Sequence, residues 1–151
     1  MKSNLQAIEH GLDSPNKEVR LRSLKLMLTH PEATPLQIVK CLTSSDNRNF
    51  EFMKLFELDS AMRRGKKRLC DVNNPQVFEY IETFHKEDPI KNSNLVAHVL
   101  ECIKTPESIA ILKKLRQGKA FIRQQWFDHA IRVIEGHLKI KSEQGSGGNV
   151  G

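Results

Sequence analysis

The sequence has no long hydrophobic run. Its apolar stretches fall far short of the roughly 20 residues that a membrane-spanning helix requires. The first ten residues contain no signal-peptide core, because a charge follows only a short apolar stretch. We therefore expect a cytoplasmic protein that does not associate with membranes.

Cysteine is also scarce. The three cysteines, Cys41, Cys70 and Cys102, are widely separated and show no paired spacing. An odd, dispersed set argues against a disulfide framework and favours a reducing compartment. The sequence therefore predicts three buried structural thiols.

Motifs for metal, phosphate and nucleophilic chemistry are missing as well. There is no Cys-x-x-Cys, His-Glu-x-x-His, Gly-x-x-x-x-Gly-Lys or Gly-x-Ser-x-Gly. Six histidines are scattered, and no two stand three or four positions apart on one predicted helix. We expect isolated surface histidines, no metal site, no cofactor and no catalytic residue, and hence no enzyme.

What the sequence does contain is the composition of a globular domain. The chain has 151 residues, of which 38% are hydrophobic and 28% are charged. This is too apolar for a disordered chain, and the length suits one domain. The net charge of +6 suits an acidic partner but is also an ordinary solubility charge.

Proline marks helix starts. A Ser, Thr, Asp or Asn followed by Pro is a typical N-cap and first helical residue, because proline is preset in φ and its missing N–H is not needed there. Thr34 also begins a capping box with Gln37. The five such pairs are Ser14-Pro15, Thr34-Pro35, Asn74-Pro75, Asp88-Pro89 and Thr105-Pro106.

Apolar residues recur at intervals of three and four, and no stretch alternates with period two. The pattern predicts an all-α chain of eight helices that form four antiparallel pairs over residues 1–141. Residues 142–151, which are rich in glycine, are predicted to be a flexible tail. The predicted helices lie near 4–11, 15–29, 35–43, 47–64, 75–86, 89–104, 106–116 and 119–140.

Residues 12–28 resemble the turn and second helix of a HEAT repeat. The positions that match the family pattern are Asp13, Val19, Arg20, Ser23, Leu24 and Leu28. The later pairs keep the helix lengths and cap signals but lack the Val-Arg step. The resemblance implies an α-solenoid, a HEAT- or armadillo-like superhelix that binds macromolecules along its second helices.

Basic residues supply the candidate contact sites. Five of the six residues from Arg63 to Arg68 are basic, namely Arg63, Arg64, Lys66, Lys67 and Arg68. Such a cluster is typical of a nucleic-acid contact or a nuclear-import signal, but it also suits the C-terminal end of a helix, which Gly65 would terminate. A second set lies on the outer second helices and includes Arg20, Arg22, Lys25, Arg123 and Arg132.

The function that these patterns favour is a non-catalytic scaffold or adaptor, which binds a protein along the second-helix face and can belong to a larger assembly. The alternative is a nucleic-acid-binding module that uses the 63–68 cluster. A third hypothesis follows from the resemblance: some alkylated-base DNA glycosylases are HEAT-like and use Trp and Asp on concave helices, as Trp126 and Asp128 could. Trp126 lies on an apolar line of the last helix, so a core position is expected for it.

Overall fold

The fold is all-α, which confirms the predicted class. The structure, a computed structural model, describes residues 2–44, 46 and 55–150, and these ranges contain no strand. The predicted start of the fourth helix near residue 47 lies outside the described residues. The helices are α1 Lys2–Leu12, α2 Lys17–Thr29, α3 Pro35–Leu42, α4 Leu55–Arg68, α5 Pro75–Glu87, α6 Ser93–Ile103, α7 Pro106–Arg116 and α8 Phe121–Val150.

Three of the five proline signals begin helices as predicted. Thr34, Asn74 and Thr105 are the N-caps of α3, α5 and α7, and each cap oxygen accepts a backbone N–H of the first turn. In α3 the predicted capping box is complete, since Gln37 also accepts the Thr34 amide at 2.8 Å. Each cap satisfies N–H groups that the helix itself leaves unpaired.

The other two proline signals were wrong. Helix α2 begins two residues after Pro15 and is capped by Asn16, whose Oδ1 accepts the amide of Glu18 at 2.9 Å. Pro89 lies in a turn, and α6 begins only at Ser93. In the first case a polar side chain further along the turn caps the helix instead, whereas in the second Asp88 Oδ1 accepts the amide of Lys91 at 3.1 Å and so caps only the turn that precedes α6.

The chain divides into two compact units, Met1–Leu69 and Cys70–Gly151. In the N-terminal unit, α2 packs against α1, α3 and α4, and α3 packs against α4. Its core consists of leucine-rich positions of α2 and α3 that are closed by α4. The fully buried side chains there include Leu21, Leu24, Met27, Leu28, Ile38, Leu42 and Leu58.

The C-terminal unit repeats this packing order. Helix α6 packs against α5, α7 and α8, and α7 packs against α8. In both units the second helix of one pair therefore contacts both helices of the next pair, as in consecutive solenoid repeats. A continuous superhelix of four pairs over residues 1–141 stays a prediction. The core includes Val77, Ile81, Val96, Leu100, Ile103, Leu112, Phe127 and Ile134.

Two helices end well beyond their predicted C-terminal ends. Helix α4 continues to Arg68, so Gly65 lies inside the helix and is buried, and it does not terminate it. Helix α8 continues to Val150, through the glycine-rich residues for which a flexible tail was predicted. Within the described residues, none of the helices combines the length and apolar character needed to cross a bilayer.

Candidate binding groove and basic helix end

A groove of about 130 Å³ runs between α6 and α8, the two second helices of the C-terminal unit. This is the face on which a solenoid of this kind is predicted to bind. Four of its lining residues come from α6 and three from α8. They are Asn94, Ala97, His98 and Glu101, and Trp126, His129 and Ala130.

Trp126 lies in this groove, so the prediction of a core tryptophan was wrong. Its side chain is 38% exposed, and Ile122, one turn earlier on α8, is 64% exposed. The interior face of α8 is taken by Phe127, Ile131 and Ile134. Because successive residues turn by 100° about the helix axis, the line through Ile122 and Trp126 falls at the edge of the packed face.

Glu101 stands between two histidines of the groove. Its Oε2 is 3.7 Å from His98 Nδ1, and its Oε1 is 3.6 Å from His129 Nε2. The Glu101 side chain is only 19% exposed. This cluster could not be predicted from the sequence, because one histidine lies on each helix and only folding brings both histidines to one carboxylate.

Trp126 and Asp128 do not share a site. Asp128 accepts two hydrogen bonds from Arg116 of α7, from Nε at 2.6 Å and from Nη2 at 3.1 Å. This bidentate pair holds α7 against α8. Asp128 is therefore a structural residue. The carboxylate that lines the groove together with Trp126 is that of Glu101.

Comparison with known proteins assigns no family to this chain. No protein-family model, curated protein or solved structure matches it. The likeness of residues 12–28 to a HEAT repeat therefore stays a prediction, and the candidate sites depend on the geometry of the chain itself.

The basic cluster of residues 63–68 lies on the last turns of α4, not in a turn after it. Arg63 Nε forms an ion pair with Asp59 Oδ2 at 3.0 Å. Arg68 donates to the carbonyl oxygens of His30 and Pro31, and to that of Ala33 at 2.7 Å. Arg68 thus caps backbone acceptors beyond the end of α2, which is a structural task.

Three cations of the cluster remain for a ligand. Arg64 and Lys67 are exposed and Lys66 is half-buried, and within the described residues they form no ion pair. They define what we call the basic end of α4. It is a smaller cationic surface than the sequence predicted.

The second predicted basic set is divided between the units. Arg20 is half-buried and holds Asp46, with Nε at 2.9 Å from Oδ2, so it is a structural residue. Arg22 and Arg132 are exposed. Arg123 is half-buried, and its Nε has no hydrogen-bond partner among the described residues. Lys25 lies half-buried on α2.

Lys119 contacts several polar groups at one end of the C-terminal unit. Its Nζ is 2.7 Å from His85 Nε2 and 2.9 Å from Ser93 Oγ, beside a cavity of about 310 Å³. Since an ammonium group can only donate, His85 Nε2 is the acceptor and the ring is neutral. Burial, and then the charge of Lys119, lowers the pKa of His85. Burial, and then nearby Arg123, lowers the pKa of Lys119.

This neutral His85 predicts acid sensitivity. In the unfolded chain His85 takes up a proton near pH 6.5, whereas in the folded state His85 stays neutral down to a lower pH. The free energy of unfolding should therefore fall as the pH drops below about 6.5. Urea denaturation of wild type and His85→Gln between pH 7 and pH 5 measures this, because glutamine keeps an acceptor for Lys119 but does not titrate. An equal loss of stability in both proteins would contradict the prediction.

Proposed function

We propose that this chain is a non-catalytic protein-binding module whose ligand segment lies in the groove between α6 and α8. The observation that supports this most directly is the exposed Trp126 in a concave site. Tryptophan is enriched among the residues that dominate protein interfaces, since it combines a large apolar area with few rotatable bonds. Ile122, exposed one turn away, extends the apolar surface.

The groove chemistry suits a basic side chain of the partner. Apart from its two histidines, the groove has Glu101 as its one ionisable lining residue. A lysine or arginine over Trp126 would gain about 0.5–2 kcal/mol from the ring. The Glu101 carboxylate would accept a charge-assisted hydrogen bond from the same group. A segment with one basic residue beside an apolar residue fits both Trp126 and Ile122.

Selection from a random peptide library tests this proposal. Immobilised wild-type protein should enrich peptides that contain such a basic–apolar pair. Trp126 is the only tryptophan in the sequence, so its fluorescence reports directly on occupancy of the groove. A selected peptide should change that fluorescence on titration, and its affinity should fall by about 30-fold or more in Ile122→Ala or Glu101→Gln, as loss of a hot-spot contact implies.

Gln125→Ala is the matched control, since Gln125 is an exposed residue of α8 beside Trp126 that does not line the groove. It should bind the selected peptides as wild type does. Peptides that bind without changing the Trp126 fluorescence, or equally well to Glu101→Gln, would refute the groove as the binding site.

A second candidate function is supported by the basic end of α4. Arg64, Lys66 and Lys67 carry positive charge that no described carboxylate neutralises in an ion pair. Clustered cations of this kind bind phosphates and release counterions. The candidate is a weak nucleic-acid contact in the N-terminal unit.

Salt-dependent binding decides this second candidate. If it holds, the protein should bind duplex DNA or RNA at low salt, and replacing Arg64, Lys66 and Lys67 by alanine should lower the slope of log affinity against log salt by about 2–3, since each phosphate contact contributes roughly 0.9. The charge-matched control replaces the exposed Lys86, Lys91 and Lys113. Absence of binding at low salt, or an equal effect of both triple variants, would exclude it.

A further inference from the structure

Three metal-ligating side chains converge in the C-terminal unit at a place the proposed function does not use. One ligand atom each of Cys70, Asp71 and His137 lies within 4.8 Å of the other two. They combine a thiol, a carboxylate and an imidazole. We propose that these three side chains form a Zn²⁺ site.

The backbone holds the first two ligands in place. Cys70 and Asp71 precede α5, and the Asp71 amide donates to the carbonyl oxygen of Ile103, at the end of α6, at 2.8 Å. Asp71 adopts a left-handed conformation with φ of 66°. This hydrogen bond fixes the short segment to the packed helices, so the two adjacent side chains present a sulfur and an oxygen from a defined position.

Helix α8 supplies the third ligand. His137 and Lys141 are four residues apart and so share one face of the helix. Lys141 Nζ lies 3.2 Å from Asp71 Oδ2, which places this face of α8 against the Cys70–Asp71 segment. A carboxylate has two oxygens, so Asp71 can bind a metal through one while Lys141 holds the other. Such an outer partner orients the ligand.

The state of His137 supports a ligand at this position. Its Nε2 is buried and has no hydrogen-bond partner among the described residues. A buried nitrogen without a partner is costly in a folded protein, by about 1–3 kcal/mol. Binding of a metal ion would give the imidazole a partner.

The donor set selects the metal. Sulfur, nitrogen and one oxygen suit Zn²⁺, whereas Mg²⁺ and Ca²⁺ prefer oxygen ligands alone. In tetrahedral coordination the ligand atoms would be about 3.5 Å apart, given Zn–S and Zn–N distances of about 2.3 and 2.0 Å. The side chains would therefore close by about 1 Å around the ion. Three protein ligands leave a fourth position for water or for a group of a partner.

The sequence pattern did not predict this site. Cys70 was predicted to be a buried structural thiol, as Cys41 and Cys102 are, but it is exposed. Burial raises the pKa of the Cys41 thiol to about 12, which makes that cysteine a poor ligand. Exposure sets Cys70 apart as the thiol that a metal can reach.

Titration of the chelator-treated full chain with Zn²⁺ and Co²⁺ tests the proposal. One equivalent of Zn²⁺ should bind in competition with a chromophoric chelator. Co²⁺ should give the absorption of a tetrahedral site with a sulfur-to-metal charge-transfer band. In Cys70→Ser, which keeps Cys41 and Cys102, the band should disappear. The Zn²⁺ affinity of this variant should fall by more than a factor of about 10 to 100, which is the effect of removing a residue that only orients a metal ligand.

His137→Gln and Asp71→Asn should also weaken Zn²⁺ binding, whereas His129→Gln, a histidine of α8 in the groove, should leave it unchanged. Because Asp71 and His137 are not core residues, far-UV circular dichroism should show these variants folded. Absence of stoichiometric Zn²⁺ binding by wild type would overturn the proposal. Retention of the charge-transfer band in Cys70→Ser would overturn it equally.

Discussion

Replacing Phe127 by alanine should lower the free energy of unfolding of the C-terminal unit by about 3–5 kcal/mol. The Phe127 side chain is fully buried on α8. Lys119 Nζ lies 5.3 Å from the centre of its ring, so the change also removes an attraction for a half-buried cation. Urea denaturation followed by Trp126 fluorescence measures the loss. If the alanine variant does not fold, Phe127→Leu should fold with a smaller loss.

Phe121→Ala is the matched control for this change. It makes the same truncation on the same helix, but Phe121 is 72% exposed. A surface truncation of this kind should change the free energy of unfolding by no more than about 0.5 kcal/mol. Similar losses in the two variants would contradict the orientation of α8, and with it the assignment of Trp126 to the groove.

Gly65→Leu should destabilise the N-terminal unit by about 1–3 kcal/mol or more. A Cβ at Gly65 would lie 2.8 Å from Leu28 Cδ2 and 3.3 Å from Ile38 Cγ2, both of which are buried side chains. Glycine there lets α4 approach α2 and α3 closely. Far-UV circular dichroism during urea denaturation measures the effect.

Gly136→Leu is a second helical glycine substitution, for which we expect stabilisation instead of destabilisation. A Cβ at Gly136 meets no atom within 4 Å, and the residue is exposed on α8. Removing a helical glycine without a clash should stabilise the protein by about 0.5–1 kcal/mol, because leucine favours the helix. If both glycine substitutions were stabilising, the close packing of α4 against α2 and α3 would not require a glycine at position 65.

The sequence determined the local structure well where the signal was itself local. Apolar spacing predicted helices, and Thr34, Asn74 and Thr105 begin three of them because an N-cap acts within one turn. The same logic failed at Pro15, where Asn16 caps α2, and at Pro89, where Asp88 caps only a turn and α6 begins at Ser93. In the turn before α2 a second polar residue competes with the predicted cap, and the sequence pattern alone does not rank the two.

The basic residues show what the sequence left open. It identified the cluster from Arg63 to Arg68 but not the partners of its members. Arg68 serves distant carbonyl groups and Arg63 a neighbouring carboxylate, which leaves Arg64, Lys66 and Lys67. Such pairing depends on the positions of atoms far apart in the chain, so only tertiary structure can assign it.

The sequence by itself thus determined an all-α chain with paired helices and a strongly basic segment, because helical periodicity and charge are properties of neighbouring residues. Tertiary structure alone decided that Trp126 faces a groove with Glu101, and that Cys70 and Asp71 meet His137. Both arrangements join residues of different helices. They arise because packing fixes the rotation of each helix about its own axis. The apolar periodicity of the sequence does not define that rotation to within a few degrees.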